Sequence, residues 1–588
     1  MELIDQAVAL HRANRVTEAE KLYRRVLAAN NRDFDALHML GVICAERENF
    51  EDAERLIRDA LSIDPNAASC LHNYGNVLAK LDRHEEALNY FDRAIAISLD
   101  DAPIHSDRGI SLIELGRLDD ALVSFSWALD IDPNCSDALV NTGVCYLLRG
   151  DYERGWSAYA NWCWSVEQRN LKRPRHFVGA PWRGTEPLDG KTILLYSETG
   201  FGDTIQFCRY ARLFQQRGAQ VILGVQPPLH RLLAHVEGVT QTVKQGDPLP
   251  AFDYHCALLS LPFAFRTTEQ NTPQDGPYLR AEPAIIEKWR ERLGSAVVKI
   301  GICWQGSNNT KSLPVAEFYN LSLLPNVRLI SLQKGPGTEQ LSHLPNGMRV
   351  QDFGQELDAS PDAFLDTAAI MTQLDLVITS DTSIAHLAGA LGLPTWVALK
   401  YVPDWRWKID GSTSSWYPTI RLFRQKSRGD WKGAVRQMEE ALVNLVAEKT
   451  RTTAHQERIL PTPTIPVAWG DLIDKITILE IKVQKIKPAA KRERVQKELG
   501  CLSSVAADAL SGNPRLAAMM EELRRINSDL WMVEDALREK ERSNIFDNEF
   551  VELARSVYKL NEGRSNVKNK INVSLSSEFA EEKTYLKW

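Results

Sequence analysis

Four polar groups in this chain carry side chains and spacings that could do chemistry. The first is Asp203, which closes the turn Glu198-Thr199-Gly200-Phe201-Gly202-Asp203-Thr204 between an apolar run and an amphipathic one. The second is Ser380-Asp381-Thr382-Ser383, which opens the helical pattern Ile384 to Leu391 and is followed one turn later by His386. Unpaired backbone N–H groups and hydroxyls at a helix start, beyond the carboxyl end of a strand, suit a phosphate or carboxylate. An ordinary N-cap would explain one or two of these polar residues but not His386. The third group is the donor-rich loop Gln305 to Lys311, in which Lys311 reads either as an anion partner or as a solvated lysine. For Asp203 the alternative is likewise a helix N-cap. The fourth is Asp404-Trp405-Arg406-Trp407 with Ser415-Trp416-Tyr417-Pro418 and Arg421. It is readable as base stacking with phosphate pairing or as an aromatic lid between lobes.

The elements that must position these residues alternate strand, turn and helix. Thr192–Tyr196 and Ala219–Gly224 read as strands around a helical stretch, Ile205 to Arg217. A second such unit starts near Val297, with strands at Lys299–Trp304, Val327–Leu332 and Leu374–Thr379 and a helix at Asp366–Gln373. This is the pattern of a parallel, doubly wound sheet, which binds ligands beyond the carboxyl ends of its strands.

Upstream the period changes. Gly41, Gly75, Gly109 and Gly143 are spaced by 34 residues, as are Ala19, Ala53, Ala87 and Ala121. Small residues at a fixed step let paired helices approach, with Ile57, Phe91, Phe125 and Tyr159 filling the layer between repeats. The array resembles tetratricopeptide repeats, five of them within 1–170. Asn73, Asp107 and Asn141 fall on the groove-lining helix of each repeat, where they are either peptide-backbone ligands or solvent-facing polar residues. Trp162, Trp164 and Trp182, in the stretch that leads from the array into a 171–190 linker, are expected to cap the solenoid and dock it to the next domain.

The segment Ser380 to Gly392 resembles the DTxxxHLAxALG signature of heptosyltransferase-like glycosyltransferases (family 9-like), and the turn ending in Asp203 is similar to their GD turn. The whole order resembles bacterial tetratricopeptide–glycosyltransferase proteins. The resemblance implies a multi-domain fold: an α-solenoid, a GT-B-like α/β pair of Rossmann lobes at 191–296 and 297–448, and an all-α C-terminal domain. It also implies a nucleotide-sugar donor held mainly by the second lobe, and inverting transfer with no metal or other cofactor. Asp203 would then be the base, Lys311 and the helix N-terminus would neutralise the leaving diphosphate, and Gln305, Ser380, Asp381, Thr382, Ser383 and His386 would hold the donor.

After a 449–466 linker, residues 467–588 show helical apolar stripes with balanced charge. This part resembles an uncharacterised bacterial helical domain, marked by Gly470–Lys482, Leu530–Asp535 and Glu581–Tyr585. Its charged residues Asp471, Asp474, Glu534 and Asp535 read as salt-bridging helix faces, and the domain as a site for oligomerisation or partner docking.

Composition sets the outer limits. The 588 residues carry a net charge of -7, which argues against nucleic acid as a partner. Nine cysteines without CxxC pairs argue against a disulfide framework or zinc module. The longest nearly apolar run, Leu387 to Leu399, is too short to span a bilayer, and no signal peptide is visible at the N-terminus. The expectation is a cytoplasmic glycosyltransferase whose repeats recruit a protein acceptor or partner; the alternative is an interaction scaffold with inactive transferase lobes.

Overall fold

The computed structural model describes residues 2–159, 177–274, 276–294, 298–306, 309–458, 467–510 and 513–578. They form two units, residues 1–458 and 459–588. No described helix is long and apolar enough to cross a membrane.

The first unit opens with antiparallel helix pairs: Glu2–Arg12 with Val16–Ala29, Phe34–Glu46 with Phe50–Leu61, Ala68–Lys80 with His84–Ile97, and Ala102–Glu114 with Leu118–Ile131. Ser136–Leu148 begins a fifth pair. The repeat glycines sit where two helices nearly touch. A Cβ on Gly75 would lie 2.6 Å from the Phe91 ring, and one on Gly109 would lie 2.5 Å from Phe125. The same period appears in the backbone. Asn14, Glu48, Asp82, Gly116 and Gly150 all take positive φ at the turn within each pair; glycine favours that conformation and Asn and Asp tolerate it, so only Glu48 is an unusual residue there. This is a tetratricopeptide-repeat solenoid, as its spacing predicts.

Two all-parallel sheets follow. The first contains β1 (Ala180–Pro181), β2 (Thr192–Tyr196), β3 (Gln220–Val225), β4 (Gln241–Lys244) and β5 (Tyr254–Ala257), in the order β1-β5-β2-β3-β4. The second contains β6 (Val298–Cys303), β7 (Val327–Ser331), β8 (Val350–Gln351), β9 (Leu376–Ser380), β10 (Thr395–Leu399) and β11 (Ile420–Arg424), in the order β11-β10-β9-β6-β7-β8. Both orders reverse direction beside their first long strand, β2 in one and β6 in the other. That reversal opens a crevice at the carboxyl ends, the usual ligand position in such sheets.

Three expectations change here. Part of the 171–190 stretch read as linker is the edge strand β1, which pairs with β5 at Ala180↔Tyr254. Residues 449–458, read as the start of a linker, continue the helix Trp431–Arg458. Trp182 does not dock the solenoid; it is buried inside the first lobe against Phe214 and Phe265, with ring centroids 4.8 and 5.3 Å away. Trp162 and Trp164 lie outside the described residues.

The docking is done by Trp156. It is 3% exposed, packs edge-on to Trp405 at 5.1 Å, and donates its indole N–H to the Thr267 carbonyl at 2.9 Å. Tyr152 and Ser415 share a hydrogen bond of 2.8 Å, and the Ile409 N–H donates to the Leu148 carbonyl at 2.8 Å. Two ion pairs, Lys400 with Glu114 and Arg428 with Asp82, tie the second lobe to the groove side of the solenoid.

The second unit is helical: Trp469–Lys485, Ala489–Leu510, Pro514–Arg542 and Asn548–Ser574. Its core joins Ile473 and Ile476 to Leu516, Leu523, Val567 and Ile571. Buried Asp474 receives Arg564 and Asn527, and Asp471 pairs with Lys568. Glu534 and Asp535 both pair with Arg538. The salt-bridging reading of these acids matches the contacts; Glu581–Tyr585 lies outside the described residues.

Candidate functional site

A cavity of about 770 Å³ lies between the two sheets at their carboxyl ends. The first lobe brings Gly200, Phe201, Gly202 and Asp203 to it from the start of the helix Phe201–Phe207. Asp203 sits in the first turn of that helix, where its carboxylate accepts the Gly200 N–H at 3.1 Å. The capping role and a place in the cavity are therefore held together. The close approach depends on Gly202, whose missing Cβ would lie 2.8 Å from the His386 ring.

From the second lobe come Gln305, Lys311, Asp381, Thr382, Ser383 and His386. Thr382 is the N-cap of the helix Ser383–Ala390 and accepts the Ile384 N–H at 3.2 Å. Lys311 donates to Asp381 at 2.6 Å and lies 3.6 Å from Asp404. Burial works against the lysine's charge, but Asp381 and Asp404 outweigh it and raise its pKa. The Trp407 indole N–H holds the other Asp381 oxygen at 2.8 Å. His386 is stacked on Trp407 at 5.6 Å, and its Nδ1 is 3.0 Å from the Tyr417 hydroxyl. Burial, helped by the positive charge of Arg406, holds its imidazole well below the usual range, so it is neutral at pH 7.

Ser380 is the exception among the expected donor ligands. It ends β9, is fully buried and does not line the cavity, because alternate residues of a strand face opposite sides. Its hydroxyl therefore cannot touch a ligand in the cleft.

The central group that sequence reasoning did not assign is Arg406. Its guanidinium pairs with Asp203 from the first lobe, meets Asp404 at 2.9 Å, and donates through Nε to Gln206 at 2.7 Å. Burial opposes this charge too, yet Asp404 and Asp203 hold its pKa above the ordinary arginine value. Burial likewise pushes Asp404 up, but Arg406 and Lys311 prevail and keep that carboxyl ionised. The aromatic segment around Arg406 behaves as the lid of the two readings. Trp405, Trp407 and Trp416 are buried, and Trp405 and Trp416 both pack on Phe207 of the first lobe. Lys334, at the end of β7, also lines the cavity; its ammonium donates to the carbonyls of Leu357 and Asp358. The arginine-bearing aromatic segment itself was the available signal, but nothing in its spacing pointed to Asp203.

A second cavity, of about 1170 Å³, runs between the solenoid groove and the lobes. Asp107 and Asn141 line it together with Asn76, Tyr401 and Trp431. Asn73 does not; its amide donates to His38 of the preceding repeat at 2.9 Å. The Asn141 amide donates to its own helix at the Asp137 carbonyl, and Asp107 receives His72 and Asn76. Asp203, Lys311, Asp404 and Arg406 line both cavities, so the groove and the cleft meet at these four residues.

Family models match the two ends of the chain. Residues 34–100 and 106–161 match the tetratricopeptide repeat family, and residues 464–587 match a family of unknown function (DUF6165). Protein FlbA of Caulobacter vibrioides is 25% identical over an alignment of 335 residues that covers 51% of this chain and 54% of FlbA. The chain thus spans about half the length of the curated relative it matches. Among solved structures, the chain is similar to YrrB, described as a tetratricopeptide protein with an unusual peptide-binding site (23% identity, 29% of this chain and 92% of that one, TM-score 0.25). It is also similar to MamA from Desulfovibrio magneticus RS-1 (17%, 29% and 96%, TM-score 0.27) and to TTC0263 from Thermus thermophilus (21%, 29% and 92%, TM-score 0.26). The N-terminal region is a tetratricopeptide-repeat solenoid joined to parallel-sheet α/β lobes.

Proposed function

We propose that residues 191–448 are a GT-B glycosyltransferase that moves a sugar from a nucleotide-sugar donor to a hydroxyl acceptor, with inversion. The observation that carries this reading is the meeting of Asp203 from one lobe with Lys311, Asp381, Thr382 and His386 from the other around one cavity. Asp203 takes the proton from the acceptor hydroxyl, whose oxygen attacks the anomeric carbon from the face opposite the leaving group. The bond from that carbon to the phosphate oxygen breaks, and the electron pair leaves with the nucleotide. Lys311, Arg406 and the N-terminus of the Ser383–Ala390 helix stabilise the departing anion, the role a metal ion has in other transferases. Neutral His386 and the Thr382 turn orient the donor. The acceptor is a protein segment delivered along the groove that ends at Asp203.

The second reading is an interaction scaffold with inactive lobes. It is favoured by the pairing of each cation at the seam with a carboxylate, Lys311 with Asp381 and Arg406 with Asp203 and Asp404.

The test is a panel of nucleotide sugars scored for thermal stabilisation and for donor turnover, on wild type and Asp203→Asn. Asn retains an acceptor for the Gly200 N–H. The transferase reading expects one donor to stabilise both proteins and turnover to survive only in wild type. If no donor stabilises wild type, the scaffold reading replaces it.

A further inference from the structure

The charges at the seam of the two lobes are already balanced against each other before any ligand arrives. Asp203, Asp404 and Asp381 alternate with Arg406 and Lys311 in one chain of contacts across the seam, so carboxylates outnumber cations in it. A phosphate group entering there finds both seam cations already paired unless one carboxylate gives up its partner. The three acids are not equally able to do so. Asp381 is held by Lys311 at 2.6 Å and by the Trp407 indole at 2.8 Å. Asp404 is held by the Arg406 backbone N–H at 3.1 Å and its guanidinium at 2.9 Å, on the same three-residue turn. Asp203 comes from the opposite lobe, and besides Arg406 it is held by the Gly200 N–H in its own helix turn. It can therefore release Arg406 with no change of backbone and keep its cap. Arg406 would stay in place, braced by Gln206 behind it and lying over the Trp405 ring at 4.2 Å.

We infer that Asp203 and a phosphoryl anion compete for Arg406, so that donor binding itself unmasks Asp203 as a base. This rests on the transferase reading and deepens it. Arg406 is a positioning residue for Asp203 in the empty cleft and a direct phosphate partner in the filled one. The order of events follows: donor first, acceptor second. With no donor bound, the carboxylate that faces the groove is occupied, and a hydroxyl delivered there finds no free base.

The probe is inorganic pyrophosphate, titrated calorimetrically against the full chain. Asp203→Asn removes the competing charge, and it is expected to bind pyrophosphate about tenfold or more tightly than wild type, the scale of one charged hydrogen bond. Arg406→Gln is expected to weaken binding by a similar factor, with Arg406→Lys in between. Structural damage alone could weaken binding but would not tighten it. A second measurement uses wild type only: carbodiimide labelling of the Asp203 peptide, read by mass spectrometry, should rise when pyrophosphate is added. If wild type binds pyrophosphate but Asp203→Asn binds no more tightly, or the labelling does not rise, the competition is wrong and the phosphate site stands. If pyrophosphate binds to none of these proteins, the phosphate site and the transferase reading fall with it.

Discussion

Gly202 gives the sharpest structural prediction, because the first lobe's backbone packs there directly against His386 of the second. A methyl added there would stand 2.8 Å from the His386 Cδ2 and 3.5 Å from the Ser383 Cα. Carbon atoms rest at about 3.5–4.0 Å, so something has to move by nearly an ångström. His386 cannot easily yield: it is 5% exposed, stacked on Trp407 and bonded to Tyr417. Overpacking of this kind costs about 1–3 kcal/mol, and the better helix propensity of alanine recovers part of it. A net loss of about 1–2 kcal/mol lowers Tm by roughly 2–8 °C for a domain of this size. Gly200→Ala is the matched control, since its methyl would meet only Asp203 Oδ2 at the ordinary distance of 3.6 Å. Thermal unfolding of both variants beside wild type is the assay. Should the transferase reading hold, Gly202→Ala also displaces the adjacent Asp203 and lowers turnover on the order of 10²-fold. Equal Tm values for the two variants would refute the steric argument, and with it the closeness of the lobes described above.

Two further predictions concern the solenoid. Trp156→Ala removes a buried indole from the seam at a cost of about 3–5 kcal/mol; amide exchange across 404–409 should accelerate by mass spectrometry, while Trp156→Phe should leave it nearly unchanged. His38 is pushed down to about 4 by burial. A histidine so depressed is neutral in the folded chain while the unfolded chain takes up a proton below about pH 6.5. Stability is therefore lost as pH falls from about 6.5 to 4, by up to about 3 kcal/mol. His38→Gln, which can still accept from Asn73, should flatten the Tm–pH profile in that window; an unchanged profile would remove His38 as its source.

Much of the scaffold could be read in the residues because it repeats or alternates. The 34-residue glycine step and the apolar run Thr192–Tyr196 each report a local packing demand, and each marks the element that forms. The turn at Glu48 is harder to read, since its positive φ is imposed by the helix pair around it and not by the residue type. β1 and β8 span two residues each, too short to show a period, and they exist because a neighbouring strand offers an edge. Within the site, the helix start at Thr382 and the turn at Asp203 are local patterns and stand out. Arg406 does not, because its role is fixed by a partner 203 residues away in sequence, brought near only when the two sheets face each other. Ser380 and Asn73 show the opposite limit: the residue type suits a ligand, but the strand's alternation and the neighbouring repeat claim the side chain.

The seam made by Trp156, Leu148 and Ile409 also has a consequence for how the groove could measure its cargo. The last described repeat is bolted to the loop that carries Arg406, so under the proposed delivery of an acceptor along the groove the array would act as a ruler whose zero mark is the cleft. Each repeat farther from the seam adds one graduation of fixed length. Inserting or deleting a repeat far from the seam would change only how long a segment can be held. The same edit next to Trp156 would shift the zero mark itself, and every bound segment would present a different residue to Asp203.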